Sequence, residues 1–334
     1  MNRNKRAVLL LILPLLSVIV SLFFGRFYIN PGTVVKVLLS KIIPLHQTWS
    51  ATMETVIFQV RLPRVFLALL VGAALSISGS SFQGMFQNPL VSPDILGVSS
   101  AAGFGASVAI LLSGDSLTIH IFALSFGIMG VIFAYMLSRI HKMTPILMLV
   151  LSGVIVSAFF SALISLIKYI ADPFEKLPAI TFWLMGSLST ASIKDILMIF
   201  FPMLVGTSGL LILGWRINIL SMGDEEARSL GIKSELLKGI VIICATILTA
   251  SAVCVSGIIG WVGLVIPHIA RMIVGPDHCK LLPASLSIGA SYLVLIDTVA
   301  RTASSAEIPL GILTAIIGLP FFAYLIRKTK GGWQ

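Results

Sequence analysis

Long apolar runs separated by short polar interruptions dominate this chain. The first, residues 7–25 (AVLLLILPLLSVIVSLFFG), follows a basic MNRNKR start and is long enough to cross about 30 Å of hydrocarbon. A basic start with an apolar middle also describes a signal peptide, but no small-x-small cleavage site follows, so the run reads as a retained first span with its basic end in the cytoplasm. Residues 26–60 carry Lys36, Lys41, His46 and Glu54. They are too polar to cross and are expected to lie along the outer surface. Further runs at about 65–82, 95–112, 117–138, 145–167, 193–213, 236–255, 257–273, 281–300 and 309–326 predict nine more spans, ten in all. No polar loop marks the break near Gly257. It is placed there because the continuous run is too long for one span. Residues 83–97 (QGMFQNPLVSPDILG) hold Pro89 and Pro93, and such irregular backbone near a bilayer is tolerated only where protein or water satisfies its polar groups.

One passage breaks the pattern. Residues 214–238 (GWRINILSMGDEEARSLGIKSELLK) are densely charged and lie between two apolar runs. Asp224 suits an N-cap, Glu225 and Glu226 fall in a first turn where the helix dipole favours carboxylates, and Gly231 sits where a helix closes in the left-handed conformation. This predicts about two turns, with Ala227 and Leu230 on one face and Glu225, Arg228 and Ser229 left for water or a partner. So short a helix is marginal by itself, so something must hold it. It is either a solvated loop or a docking knob for another protein.

Composition agrees with the spans. Of 334 residues 57% are hydrophobic and 11% charged, with a mean hydropathy of +1.05; soluble domains carry charge on about a quarter of their residues. The fold class is therefore an all-α polytopic membrane protein. The net charge of +10 raises nucleic acid as a partner, but the basic residues are scattered at the edges of apolar runs without interleaved aromatics, which excludes it. With the start inside, fourteen of the 23 Lys and Arg fall on the cytoplasmic side, and an RKTK near the end supports a cytoplasmic tail. Cys244, Cys254 and Cys279 have no metal-ligand or paired spacing and read as small hydrophobes.

Candidate chemistry is sparse. No phosphate-binding GxxxxGK[ST] loop occurs, since residues 231–234 read GIKS without the preceding glycine, and HExxH is absent. No catalytic constellation and no metal site emerge. Of the carboxylates only Asp297 qualifies by position as an ionisable group near the midplane. It stands one helical turn before Arg301, so a structural ion pair is favoured over a proton relay. Glu307 precedes Pro309, where the dipole of the following helix accounts for a carboxylate. His46, His120, His141, His268 and His278 all fall in predicted loops or interface regions. Arg61, Arg64 and Arg301 lie at the predicted outer rim; they either snorkel to headgroups or offer bidentate forks to an acidic partner.

Several long motifs in order carry a resemblance: RLPR from Arg61, GAALSISGSSFQGMFQNPLVSPDILGVSSAAG, FWLMGSL, GDEEARSLGI, GWVGLVIPHIARMIVGPDH, and DTVAR followed by EIPLGILTAIIGLPFFAYLIRK. From about residue 61 to the C-terminus the chain resembles the permease subunits of binding-protein-dependent ABC importers for ferric siderophores, haem and cobalamin. Gln87, Trp261 and Leu319 depart from the family's usual arginine, phenylalanine and small residue.

The resemblance implies a single transmembrane permease domain over residues 1–334. Its parts are a first span at 7–25, an outer segment at 26–60, spans two to six within 61–213, a cytoplasmic coupling segment at 214–238, and spans seven to ten within 239–326. It further implies a homodimer, two ATP-binding cassette subunits below and an extracytoplasmic binding protein above, in the cell membrane with both termini cytoplasmic. Asp224, Glu225, Glu226, Ala227, Arg228, Leu230 and Gly231 match the coupling helix that docks the ATPase. Arg61, Arg64 and Arg301 match positions that meet glutamates of the binding protein. The chain itself would bind no cofactor and catalyse nothing, with ATP and Mg acting through the ATPase. An iron chelate is the expected cargo; haem, cobalamin and molybdate stand as alternatives. An ion-coupled secondary carrier would need more membrane-embedded charge than Asp297, and a membrane enzyme would need a catalytic constellation.

Overall fold

The computed structural model describes residues 3–139, 143–304 and 306–328; His141 and the last six residues lie outside them. Among the described residues six helices are long and apolar enough to cross a membrane and four shorter apolar helices accompany them, at the ten places where spans are expected.

In chain order, α1 (Arg3–Phe23) is followed by the short α2 (Pro31–Leu39), whose first turn is capped by the Asn30 side chain accepting from Gly32 N–H at 2.9 Å. The next helix starts earlier than expected. α3 (Ala51–Thr55), a π-helical segment (Val56–Arg61) and α4 (Leu62–Met85) run on without a break as one 35-residue helix. The wide turn has a local cause. Pro63 cannot donate to the ladder and its ring would strike the carbonyl four residues back, and the i to i−5 bond from Leu62 N–H to Ile57 O opens the helix just before it.

A 3-10 turn (Pro93–Leu96) leads to α5 (Val98–Leu112), and α6 (Ser116–Ser138) and α7 (Ile146–Ile170) follow. Next come α8 (Lys176–Leu184), which no span expectation covered, and α9 (Ile193–Ile212), which starts with a capping box between Ser192 and Asp195. α10 (Gly214–Leu220) and α11 (Asp224–Ser229) make up the charged passage. The chain closes with α12 (Ser234–Ser256), α13 (Val262–Val274), α14 (His278–Thr302) and α15 (Leu310–Lys328). The break expected near Gly257 is there: α12 stops at Ser256 and residues 257–261 are not helical.

Burial sorts the spanning helices into inner and outer: 78%, 72% and 61% of the most apolar stretches of α4, α12 and α14 are buried, against 22–28% for α6, α7 and α9, and α4 is the richest of the six in Gly, Ala and Ser. In lipid the gain comes from packing, so small residues mark the places where backbones approach. At the tightest place a Cβ on Gly79 of α4 would collide with the backbone carbonyl of Gly263 in α13, and one on Gly263 would strike the ring of Pro93. The proline-broken stretch after α4 is thereby held inside the bundle, with Val91, Pro93 and Leu96 buried. Its backbone finds partners in protein, such as Gly97 N–H to Asp94 O at 2.8 Å. The large aliphatic side chains of α7 and α9, including Leu147, Ile155, Leu197 and Phe201, are exposed, as befits a surface solvated by hydrocarbon.

Candidate functional site

α9 passes through Leu213 almost directly into α10, which buries Ile217, Ile219 and Leu220 and exposes Trp215. Gly223, at φ +133°, turns the chain into α11. Gly223 rather than Asp224 occupies the N-cap. Asp224 is the first helical residue, and its carboxylate leaves the helix end to meet Lys238 Nζ at 2.5 Å.

The C-terminus of α11 closes as the glycine position predicts. Gly231 is left-handed at φ +78°; its N–H donates to Arg228 O, and Ile232 N–H donates to Ala227 O, both at 2.9 Å, the paired bonds of a Schellman end. Because the helix stops at Ser229, Leu230 lies beyond its last turn and is 61% exposed while Ala227 is fully buried. The expected common face of Ala227 and Leu230 is thus corrected. The outward set is Met222, Glu225, Glu226, Arg228, Ser229 and Leu230, two apolar side chains among charges.

Three ties fasten this module to the bundle. Gln87, itself left-handed at φ +54°, donates from Nε2 to Leu220 O at 3.2 Å and links the end of α4 to α10. Asn218 of α10 donates to Asp277 Oδ1 at 2.8 Å and accepts from the His278 backbone N–H at 2.7 Å, linking α10 to the start of α14. These hydrogen bonds, first from Asn218 and next from Lys280, hold the Asp277 carboxyl down at about 2. The third tie is Lys238, with its side chain 1% exposed. Its ammonium meets Asp224 at 2.5 Å, Glu235 Oε1 at 3.1 Å and Thr144 O at 3.4 Å. Glu235 in turn accepts from Thr144 N–H at 2.8 Å and from the Thr144 hydroxyl, while Arg228 donates from Nε to Ser234 Oγ at 3.3 Å.

At the other end of the bundle the structure brings Arg61, Arg64 and Arg301 together and buries all three. Arg61 donates to Leu22 O and Phe27 O, each at 2.5 Å, and Arg301 to Ser21 O at 2.5 Å and Ser21 Oγ at 2.7 Å. Two arginines therefore cap carbonyls at and just beyond the C-terminal end of α1, where the helix dipole favours cations. Arg64 holds both Asp297 oxygens through Nε, at 2.8 and 3.0 Å, and Glu307 through Nη1 at 3.0 Å. Two expectations change here. The main partner of Asp297 is Arg64, with Arg301 farther off at 3.7 Å, and Glu307 serves an ion pair as well as a helix start. All three arginines bond acceptors within this chain, although Arg301 Nε itself has no hydrogen-bond partner.

His120, His268 and His278 are buried rather than solvated at an interface; His268 and His278 belong to the inward-packed α13 and α14, and His120 faces Asp195 of α9 at 3.6 Å. Among the described residues no group of three or more His, Cys, Asp or Glu is placed to hold a metal ion. A recess of about 710 Å³ opens between α8, residues 257–261 and α15, walled by Met185, Ile258, Trp261, Ile312 and Leu319. Trp261 is left-handed at φ +71° and sits edge-on to Phe322 at 6.4 Å. The backbone around this recess is stitched across elements, by Ser187 N–H to Ser256 O at 2.8 Å and Leu310 N–H to Gly186 O at 2.9 Å. A smaller recess of about 330 Å³ includes His120, Ser187, Ser189 and Ser256 among apolar neighbours such as Phe182 and Trp183.

A bundle of membrane helices with a small helical lever fastened to one end and an apolar recess beside its broken helices has the architecture of a transport permease. Residues 10–328 match the FecCD transport family, and the chain belongs to it; it is an ABC importer permease. It is 44% identical over 323 residues, covering 97% of this chain and 95% of the relative, to the molybdate import system permease protein MolB of Haemophilus influenzae. It is 45% identical over 287 residues, 86% of this chain and 87% of the relative, to a probable iron chelatin transport system permease protein of Helicobacter pylori. A solved metal-chelate type ABC transporter in an inward-facing conformation superposes with a TM-score of 0.87 at 42% identity, covering 97% of this chain and 99% of that one. Permeases of this family work with ATPase and binding-protein partners, and the chain is a multi-pass membrane protein.

Proposed function

We propose that this chain, as a homodimer, carries an iron chelate into the cytoplasm, driven by ATP hydrolysed with Mg on two separate cassette subunits. The observation that carries the coupling half of this reading is the shape of α11. It is a closed helical knob, outward-facing at Met222, Glu225, Glu226, Arg228 and Leu230, and tied inward by Ala227 and Asp224. A surface that mixes two exposed apolar side chains with charges suits a protein cleft better than water. ATPase closure would displace α11 as a rigid body, and nucleotide would supply the free-energy difference between inward and outward states. The chain itself breaks no bond and holds no cofactor. Both termini would be cytoplasmic, on the side of α11, and the arginine cluster would lie beneath the docked extracytoplasmic binding protein.

The width and apolar lining of the recess at Met185, Ile258, Trp261 and Leu319 support a bulky chelate as cargo. Molybdate is the second reading, favoured by the H. influenzae relative matched over nearly the whole chain. Proteoliposomes containing the permease, its ATPase and its binding protein, offered ⁵⁵Fe-siderophore or ⁹⁹Mo-molybdate, decide between them. Uptake of iron chelate unaffected by excess molybdate is expected. Uptake of molybdate alone would transfer the assignment, and uphill uptake by the permease without an ATPase would end the coupling reading.

A further inference from the structure

Lys238 lies three residues beyond Glu235 and inside an apolar helix, and nothing in a transport path or docking surface calls for it. We propose that Lys238 is the positioning residue that fastens the α11 lever to α12 and to the start of α7, so that a push on α11 enters the bundle chiefly through this buried ammonium group. The proposal rests on α11 being the ATPase contact for its consequence in transport, while the fastening itself is a property of this chain.

The geometry is specific to an ammonium. Lys238 Nζ has three donors and no acceptor, and it finds three acceptors on three separate segments: Asp224 Oδ2 on α11 at 2.5 Å, Glu235 Oε1 on α12 at 3.1 Å, and the Thr144 backbone carbonyl, ahead of α7, at 3.4 Å. No donor is left over. Glu235 adds a second bond between α12 and the α7 entrance by accepting from Thr144 N–H at 2.8 Å, so α11 and the α7 entrance are both held to α12 around this one lysine. The side chain is almost wholly buried. The Lys238 ammonium is desolvated and depends on these partners, whereas the Asp224 and Glu235 side chains are about a third exposed, so removing the ammonium leaves carboxylates that water can reach and lets the three segments part. Arg228 gives α11 a second, weaker link to the start of α12, at 3.8 Å to Glu235 with a half-exposed side chain. The other two ties of the module, at Gln87 and Asn218, hold α10 and not α11. Lys238 is therefore the buried charged connection between the lever's own helix and the spans. A point charge with three donors also explains why arginine would not replace it, because a planar fork cannot address three directions and is larger.

The test has two arms on the full-length permease. In the first, Lys238→Met, which keeps the length and packing of the side chain, is compared with the unaltered protein by hydrogen exchange in detergent without any ATPase. Exchange at the amides of Ala227 to Ile232 and of Thr144 should rise at least tenfold, while α14 stays protected. Unchanged exchange in α11 overturns the proposal whatever the partner does, and uniform loss of protection would show that Lys238 only supports folding, which overturns it too. In the second arm the reconstituted importer is assayed for ATP hydrolysis, cargo uptake and retained ATPase. Lys238→Met should keep the ATPase bound and hydrolysis within about twofold while uptake per ATP falls at least tenfold, and adding Asp224→Asn should lower it no further. An unaltered ratio of uptake to hydrolysis sinks the transmission role. Failure of the unaltered permease to retain an ATPase would sink the coupling reading and leave the exchange result to judge the fastening.

Discussion

Replacing Asp297 by alanine measures what the buried arginine cluster is for. The Asp297 side chain is 1% exposed and that of Arg64 6%, with Arg64 Nε bonded to both carboxylate oxygens. Removing the carboxylate leaves Arg64 and Arg301 both short of charge, with only the partly exposed Glu307 to answer them. Breaking a buried pair in this way costs about 3–5 kcal/mol. A part of that, about 1–3 kcal/mol, should remain for Asp297→Asn, which keeps an acceptor without the charge. The assay is equilibrium unfolding of the purified permease in mixed micelles by titrated denaturing detergent, with no partner present. An Arg64→Met and Asp297→Ala double-mutant cycle should return a coupling of about 1–3 kcal/mol. If Asp297→Ala lost less than about 1 kcal/mol, the arginines would be holding nothing in the free permease, and the expectation that they serve an incoming acidic partner would regain its force.

Other outcomes follow from the same geometry. Glu226→Arg or Leu230→Asp, on the outward side of α11, should uncouple ATP hydrolysis from uptake with the melting curve of the permease unchanged; full uptake by both variants would remove α11 from the mechanism. Gly79→Leu should cost more than the usual 1–3 kcal/mol of overpacking, because the obstacle at Gly263 is backbone that cannot rotate away; size-exclusion profiles showing an intact monodisperse protein would contradict that. Asp277 has a folded pKa of about 2, below the roughly 3.9 of an unfolded aspartate, so its contribution is full above pH 4 and is lost as pH falls towards 2. The stability difference between the native protein and Asp277→Asn should accordingly be flat from pH 5 to 8, and a difference that fades by pH 5 would contradict the assigned hydrogen bonds.

Span positions were legible because twenty-residue apolar runs have few other uses, and the left-handed close at Gly231 was legible because glycine there has a single strong reading. What escaped was mostly non-local. Nothing near Asp297 in sequence points to Arg64, 233 residues away, whereas Arg301 is one turn off and drew the expected pairing. The burial of Arg61 depends on where the end of α1 comes to rest, which no local pattern encodes. Leu230 was placed on the wrong side for a different reason, as helical spacing was extended one residue past the helix. From sequence Lys238 reads only as one of the basic residues on the cytoplasmic side. An isolated lysine inside an apolar run, three residues after Glu235, was the available signal. The early start of the second spanning helix at Ala51 was masked by the polar residues around it and by Glu54, which pairs with Lys41 instead of ending the helix.

The non-helical stretch at residues 257–261 sets how the wall of the recess is built. α13 has thirteen residues, roughly 20 Å of helix, which is less than a bilayer core of about 30 Å. Part of that wall is consequently open backbone whose neighbours come from α8 and α15. Such a seam can trade one carbonyl for the next when the flanking rods tilt, so the opening can widen or pinch without unwinding any helix.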